Sequence, residues 1–327
     1  MAVFTEVSVD EAAALAARLG LGRLLRLKPI SAGIENTNYF ASCEGGEYVL
    51  TVFERLTAEQ LPFYLHLMKH LAQRAIPVPE PQADASGEIL HQLAGKPAAM
   101  VDRLRGGHAL APDAAHCEQV GAMLARMHRA GLDYPRHQPN LRGLPWWDET
   151  APLVHPFLSA AERRLIDSEL AYQHELARGA AHARLPRGPI HADLFRDNVM
   201  FETGVDGQDR LTGFFDFYFA GVDSFGFDIA VCLNDWCVDL ASGRLDEARA
   251  EAFVGAYNAV RPLSGDEHRL MPALLRAAAL RFWLSRLWDL HLPRNAALLT
   301  PHDPRHFERV LRERIAQPWH PAAGALA

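Results

Sequence analysis

Within residues 190–201, IHADLFRDNVMF, a histidine, two aspartates and an asparagine fall inside eight positions, between an apolar residue and an alternating apolar run. A second stretch, LTGFFDFYFAG at 211–221, sets a lone carboxylate, Asp216, among aromatic residues that otherwise read as a core strand. The side chains suit one reaction. A hydroxyl that attacks the γ-phosphate of a nucleotide must be oriented and relieved of its proton, and a carboxylate fixed on a tight loop, Asp193, can accept it. Asn198, five residues on, can turn its amide oxygen toward a magnesium ion. Asp216 can add the anionic oxygen that a hard cation bridging phosphates requires. Singly, these pieces also fit a polar loop with an Asx turn or a strand-end turn acceptor. Together and in this order they point to phosphoryl transfer from a nucleotide with magnesium.

Those groups need elements to hold them. Ser8 with Glu11 forms a capping box ahead of EAAALAARLG, and Gly20 supplies a stop, which predicts a helix over 9–19. GRLLRLKPI, NTNYFASC and EYVLTVF are rich in strand formers, the last two joined across Glu44-Gly45-Gly46 as a hairpin. A helix over 58–74 and strands near 88–93 and 97–104 follow. At RLRGGHALAPD the Gly106-Gly107 pair ends the strand series, and the period turns helical.

The lobe boundary is therefore placed there, with 1–104 as a nucleotide-binding lobe and 105–327 as a catalytic and substrate-binding helical lobe. Pro112 and Asp113 open a helix whose Val120, Leu124 and Met127 share a face and which Gly131 ends. Ser159 and Glu162 form another capping box, opening a helix to about 181. ETGVDGQDR reads as the tip of a hairpin between a strand ending near 201 and one starting near 211. From 227 the chain is helical again, to a last helix over 304–316. The expected fold class is α+β: a two-lobed protein-kinase-like fold, with an antiparallel sheet lobe followed by a larger helical lobe.

Composition limits the partners. The 327 residues are 49% hydrophobic with a net charge of −7, and no basic run suggests a nucleic-acid surface. No apolar run approaches a membrane span, and the first residues lack a basic segment followed by an apolar one, so a soluble, cytoplasmic protein with no nucleic-acid or membrane partner is expected. Cys43, Cys117, Cys232 and Cys237 are scattered, which suggests neither a disulfide framework nor a zinc ribbon. His302 and His306 stand four apart across Pro304 without a third ligand, so no metal site is expected there.

His191, Asp193 and Asn198 have the spacing H-x-D-x-x-x-x-N of a protein-kinase catalytic loop, and Asp216-Phe217 the start of its D-F-G motif. GPIHADLFRDNVMF, GFFDFYFAG, FDIAVCLNDWC, VGAMLARMHRAG and ISAGIENTNYFASCEGGEYVLTVFER resemble the aminoglycoside phosphotransferase and choline kinase superfamily, and within it the homoserine kinases of that fold. The resemblance runs over most of the chain. It implies ATP-dependent phosphorylation of the side-chain hydroxyl of L-homoserine, a step towards threonine. Choline, a methylthio-sugar or an aminoglycoside remain as other acceptors, and a nucleotide-binding pseudokinase as another class. The resemblance makes Asp193 the catalytic base, Asn198 and Asp216 the magnesium ligands, and His191 the loop histidine, usually structural. Asp228 matches an aspartate that caps the catalytic-loop backbone; an ordinary first-turn acid is the other reading.

Two departures follow. No G-x-G-x-x-G is present, so phosphate cover is expected from Ser31, Ala32, Gly33 and Ile34. The phosphate-binding strand lysine falls at or near Thr51, whose hydroxyl cannot replace the charge, with Arg55 or Lys28 as substitutes. Met100 and Asp102 complete the expected nucleotide contacts. A homoserine zwitterion calls for a guanidinium and a carboxylate, which Arg281 or Arg286 and Asp235 can offer, beside Trp236. Trp236, Phe282, Trp283 and Trp288 are also candidates for a cation cage, although their helical spacing reads as core.

Overall fold

The computed structural model describes residues 5–30, 36–292 and 302–322. One compact unit runs to Arg105 and takes in Gly213–Phe215; a second holds Gly106–Thr212 and the described residues from Asp216 on.

The first unit begins with α1 (Val9–Arg18), whose N-cap Ser8 accepts from the Glu11 amide while Glu11 accepts from the Ser8 amide, the expected capping box. Strands β1 (Leu24–Pro29), β2 (Thr37–Cys43) and β3 (Gly46–Val52) follow, with the β2–β3 hairpin closing at Cys43 opposite Gly46. Helix α2 (Leu61–Ala72) starts later than the sequence suggests, because Pro62 occupies its first turn. Strands β4 (His91–Leu93) and β5 (Lys96–Asp102) are separated by a tight turn with Ala94 and Gly95 at positive φ, which shortens both expected strands. All the pairings are antiparallel, in the order β1-β2-β3-β5-β4. The period-2 pattern of β2 turns Thr37, Tyr39, Ala41 and Cys43 inward. Tyr39 and Ala41 join Leu50, Val52, Ala98 and Met100 against Ala12, Leu15 and Ala16 of α1. Burying each large apolar side chain of that layer contributes roughly 1.5–3 kcal/mol.

The second unit opens with α3 (Ala114–Ala130), capped by Asp113 accepting from the His116 amide. Then come α4 (Leu144–Val154), α5 (Ala160–Arg178), α6 (Ala180–Ala183), β6 (Arg187–Ile190), β7 (Val199–Thr203), β8 (Asp209–Phe214, its last two residues counted with the first unit), β9 (Gly221–Ser224), α7 (Phe225–Trp236), α8 (Glu247–Val260), α9 (Gly265–His291) and α10 (Arg305–Ala316). The hairpin β7–β8 is the one legible in the sequence; the antiparallel pair β6–β9 is an addition to it. The helix expected to run to about 181 breaks at Gly179, whose ψ of 140° is extended. Helices α3 and α8 approach so closely at Gly121 that a Cβ there would lie 2.1 Å from the Phe253 carbonyl oxygen. Among the described residues no helix is long and apolar enough to cross a membrane, and the four cysteines are buried and unbridged.

Candidate active site

The loop that carries Asp193 leaves β6 at Ile190, which β9 pairs with Gly221, and ends in a 3-10 turn over Arg196–Asn198 that leads into β7. Helix α7 holds it at four points. Both oxygens of Asp228, in the first turn of α7, accept backbone amides, Oδ2 from His191 and Oδ1 from Ala192, each at 2.8 Å. At the other end of the helix, Trp236 donates its indole N–H to the Leu194 carbonyl at 2.9 Å, and Asp235 Oδ2 accepts from the Arg196 amide at 2.8 Å and its Nε at 3.1 Å. Ala192 lies in the left-handed region at φ 64°, which costs a residue with a Cβ about 1–2 kcal/mol. The bond from its amide to Asp228 helps to offset that strain. Asp228 therefore caps the loop, and it is also a first-turn acid, so the two readings of that residue coincide.

Burial pushes the Asp193 carboxyl well above the usual carboxylate range; Arg281 opposes the shift, and the nearby charges of Asp216, Asp197 and Asp235 add to it. Once ionised, a carboxyl raised in this way accepts a proton more strongly than an ordinary aspartate, and Arg281 favours that ionised form. Arg281 Nη1 lies 3.8 Å from Asp193 Oδ1, and the Arg281 side chain is 3% exposed. Its guanidinium stacks 3.7 Å from the centre of the Phe282 ring and 5.0 Å from that of Phe219, while its Nε and Nη2 are buried without a hydrogen-bond partner. Burial lowers the Arg281 pKa to about 10, where it remains a cation at neutral pH. Two orphaned N–H groups on a buried cation are costly unless something anionic meets them.

Asp216 also takes a left-handed conformation, φ 68°, ahead of a 3-10 turn over Phe217–Phe219. Phe217 is buried against the His191 ring, centroids 4.5 Å apart, and His191 Nδ1 accepts from the Asp193 amide. His191 is fully buried, held between the Phe217 ring and the Asp193 amide. The donor set fits a magnesium ion. Asn198 commits its Nδ2 to the Asp193 carbonyl at 2.8 Å, so its Oδ1 is the atom that would ligate. The crowd of carboxylates that raises Asp193 is a charge excess that a cation relieves. Among the described residues no group of three His, Cys, Asp or Glu could hold a metal. One amide and one carboxylate completed by phosphate oxygens is a different kind of site.

Several sequence expectations are redirected. Asp235 and Trp236 were candidates for the substrate, yet the first binds Arg196 and the second is fully buried with its N–H on the loop, so both support the loop. Phe282 and Trp283 are buried as well, and Trp288 is half-buried. Arg286 lies 4.4 Å from the Phe307 ring centre and donates to the Asp303 carbonyl at 3.3 Å, which ties α9 to the start of α10. In the first unit, Thr51 donates its hydroxyl to Asn38 across β2 and β3, Met100 is buried, and Asp102 accepts from Gln82. Lys28 and Arg55 are exposed. Ser31, Ala32, Gly33 and Ile34 lie outside the described residues. A residue given no role in the sequence reading is His128, fully buried on α3, with Nε2 3.0 Å from Asp228 Oδ2.

Residues 26–263 match the phosphotransferase enzyme family. A homoserine kinase of Polaromonas naphthalenivorans (strain CJ2) is 66% identical over 319 residues, covering 98% of this chain and 99% of the relative. One of Paraburkholderia xenovorans (strain LB400) is 57% identical over 97% of this chain and 96% of its own. Among solved structures, the amicoumacin kinase hAmiN in complex with AMP-PNP, Ca2+ and Ami superposes with a TM-score of 0.66 at 17% identity, over 94% of this chain and 92% of that one. A choline kinase from Cryptosporidium parvum Iowa II gives 0.61 at 13%, over 94% and 95%. These two likenesses are of fold.

Proposed function

The chain belongs to the phosphotransferase enzyme family, and from that premise we propose that it transfers the γ-phosphoryl group of ATP to the side-chain hydroxyl of L-homoserine, giving O-phospho-L-homoserine on the way to threonine. The observation that carries the choice of acceptor is Arg281, a buried cation beside Asp193 with Nε and Nη2 unpartnered. An acceptor that presents a carboxylate a few bonds from its hydroxyl satisfies both groups and sets that hydroxyl toward the base. Choline has no anion and would meet a guanidinium of like charge. A polycationic aminoglycoside is disfavoured for the same reason, because Arg142 and Arg286 add to the positive field at Arg281.

In the reaction, Asp193 accepts the hydroxyl proton as the oxygen bonds to the γ-phosphorus and the bond to the β–γ bridging oxygen breaks, releasing ADP. Asn198 and Asp216 would hold magnesium, which when bound neutralises charge on the phosphates. His191 and α7 keep Asp193 in place. Nucleotide binding is assigned to residues 1–104, with Ser31 to Ile34, Asp102 and the backbone of the buried Thr51 and Met100 as its contacts, and catalysis to 105–327. Such a protein works in the cytoplasm as a soluble enzyme.

The test is a panel of acceptors with MgATP: L-homoserine, 3-aminopropanol, choline and kanamycin. Homoserine should show a kcat/KM at least roughly a hundredfold above choline or kanamycin, since a site built around a buried charge rejects partners that leave it unpaired. Asp193→Asn should keep nucleotide affinity and lower turnover by about two or more orders of magnitude. Faster turnover of choline would overturn the acceptor, and near-wild-type turnover in Asp193→Asn the base.

A further inference from the structure

Behind the catalytic loop runs a chain of buried polar side chains with no part in the chemistry. Glu267, in the first turn of α9, is fully buried; its Oε1 and Oε2 accept from Arg261 Nη1 and Nη2 at 3.0 and 3.2 Å. Arg261 Nη1 also donates to the Tyr257 hydroxyl at 3.1 Å. That hydroxyl is 2.8 Å from His128 Nδ1, and His128 Nε2 is 3.0 Å from Asp228 Oδ2, the oxygen that accepts the His191 amide. His128 is stacked on Phe225 at 4.4 Å, with the Arg261 guanidinium 4.7 Å from the same ring centre.

The donors and acceptors admit one assignment. A guanidinium only donates, so the Tyr257 oxygen accepts from Arg261 and its single proton goes to His128 Nδ1. An imidazole that accepts at Nδ1 while neutral carries its proton on Nε2, and that proton points at the Asp228 carboxylate. The opposite tautomer would set a lone pair against the carboxylate and leave two hydrogens competing between Tyr257 and the ring. Burial keeps His128 neutral by pushing its pKa down. The charged groups that face it are Asp228 of α7, Arg261 at the end of α8 and Glu267 of α9; the two acids favour the imidazolium and Arg261 opposes it.

We propose that Tyr257 and Arg261 are positioning residues that fix the Nε2–H tautomer of His128, and through Asp228 hold the left-handed turn at Ala192 from which Asp193 projects. His128 is thereby a one-way link: its proton must face Asp228, so the carboxylate stays aligned with both loop amides. Arg261 polarises the phenol, and Glu267 keeps Arg261 from turning to solvent. The activity readout rests on the reading of Asp193 as base; the spectroscopic one does not.

The test uses the full chain labelled with 15N-histidine, with the His128 resonances assigned by their loss in His128→Gln. Wild-type protein should show a bare Nδ1 and a protonated Nε2 at neutral pH. In Tyr257→Phe, the bare Nδ1 faces no donor, so His128 should populate a second protonation state and titrate closer to the ordinary histidine range. In the same variant kcat should fall about tenfold while KM for ATP and for homoserine stays within about twofold, because the affected interactions are made in the positioning of the base and not in binding. Arg261→Met should reproduce both changes more weakly, and Arg261→Lys, which restores a donor to the phenol, should recover them. If Tyr257→Phe does not fold, the Arg261 pair carries the test alone. A folded Tyr257→Phe or Arg261→Met with wild-type tautomer, titration and kcat would overturn the proposal, as would equal losses in Arg261→Met and Arg261→Lys. A changed tautomer in the variants without a kcat change would show a tautomer link with no hold on the base and would equally overturn it.

Discussion

Replacing Arg281 with Met tests the carboxylate clamp, because the thioether chain fits among Phe282 and Phe219 while the charge and both orphaned N–H groups go. Each N–H that meets a substrate carboxylate forms a charge-assisted bond contributing about 1.5–3 kcal/mol. Two of them give about 3–6 kcal/mol, so kcat/KM for homoserine should fall by about 10²- to 10⁴-fold. Arg281 also holds down the pKa of Asp193, so its loss makes the base harder to ionise and slows every acceptor alike. The two effects separate by comparison with 3-aminopropanol, which has the hydroxyl and the amine but no carboxylate. Steady-state rates for both acceptors with wild type and variant form a closed cycle whose interaction energy contains the carboxylate contribution and cancels the effect on the base. An interaction energy near zero, with both acceptors falling in parallel, would refute the clamp and leave Arg281 as a partner of Asp193 alone.

Calorimetry should find MgATP binding weakened in Asp216→Ala more than in Asn198→Ala, since the first loses an anionic ligand and the second a neutral one; unchanged affinity in Asp216→Ala would remove it from the metal site. Gly121→Ala should destabilise the fold by about 3 kcal/mol in urea unfolding, because its Cβ cannot fit 2.1 Å from the Phe253 carbonyl. Gly255→Ala, on α8 with nothing near a new Cβ, should instead stabilise by about 0.5–1 kcal/mol. Similar midpoints for these two variants would contradict the close packing of α3 on α8.

The sequence displays what is local. The capping boxes at Ser8, Ser159 and the cap at Asp113, the β2–β3 hairpin and the loop spacing from His191 to Asn198 are all set by neighbours within a few residues, and they are found where they are expected. Helix α4 escapes notice because Pro145 and Pro152 interrupt its pattern, although the first sits in the opening turn where proline is tolerated. Strands β6 and β9 are four residues each, too short to show alternation, and pair across the stretch 191–220, which includes a hairpin. The roles of Asp235 and Trp236 depend on what lies opposite them some forty residues away in sequence. That dependence is why a carboxylate beside a tryptophan on a helix reads equally well as a ligand pocket. Arg281 was a candidate by residue type, but only its unpartnered nitrogens separate it from Arg286, whose guanidinium is occupied.

The seven-residue step from Asp228 to Asp235 makes about two turns of α7, about 10.5 Å of rise. Because the same helix grips the loop at His191 and Ala192 with one end and at Leu194 and Arg196 with the other, it serves as a ruler against which the loop is measured. The loop's shape is therefore copied from a rigid element and not held by the loop itself. Inserting one residue into the middle of α7 would turn its two ends about 100° out of phase and deny the loop one set of grips. Substitutions at exposed Asp197, by contrast, leave the grips untouched. The spacing within α7 is thus as much a part of the catalytic constellation as the spacing between Asp193 and Asn198.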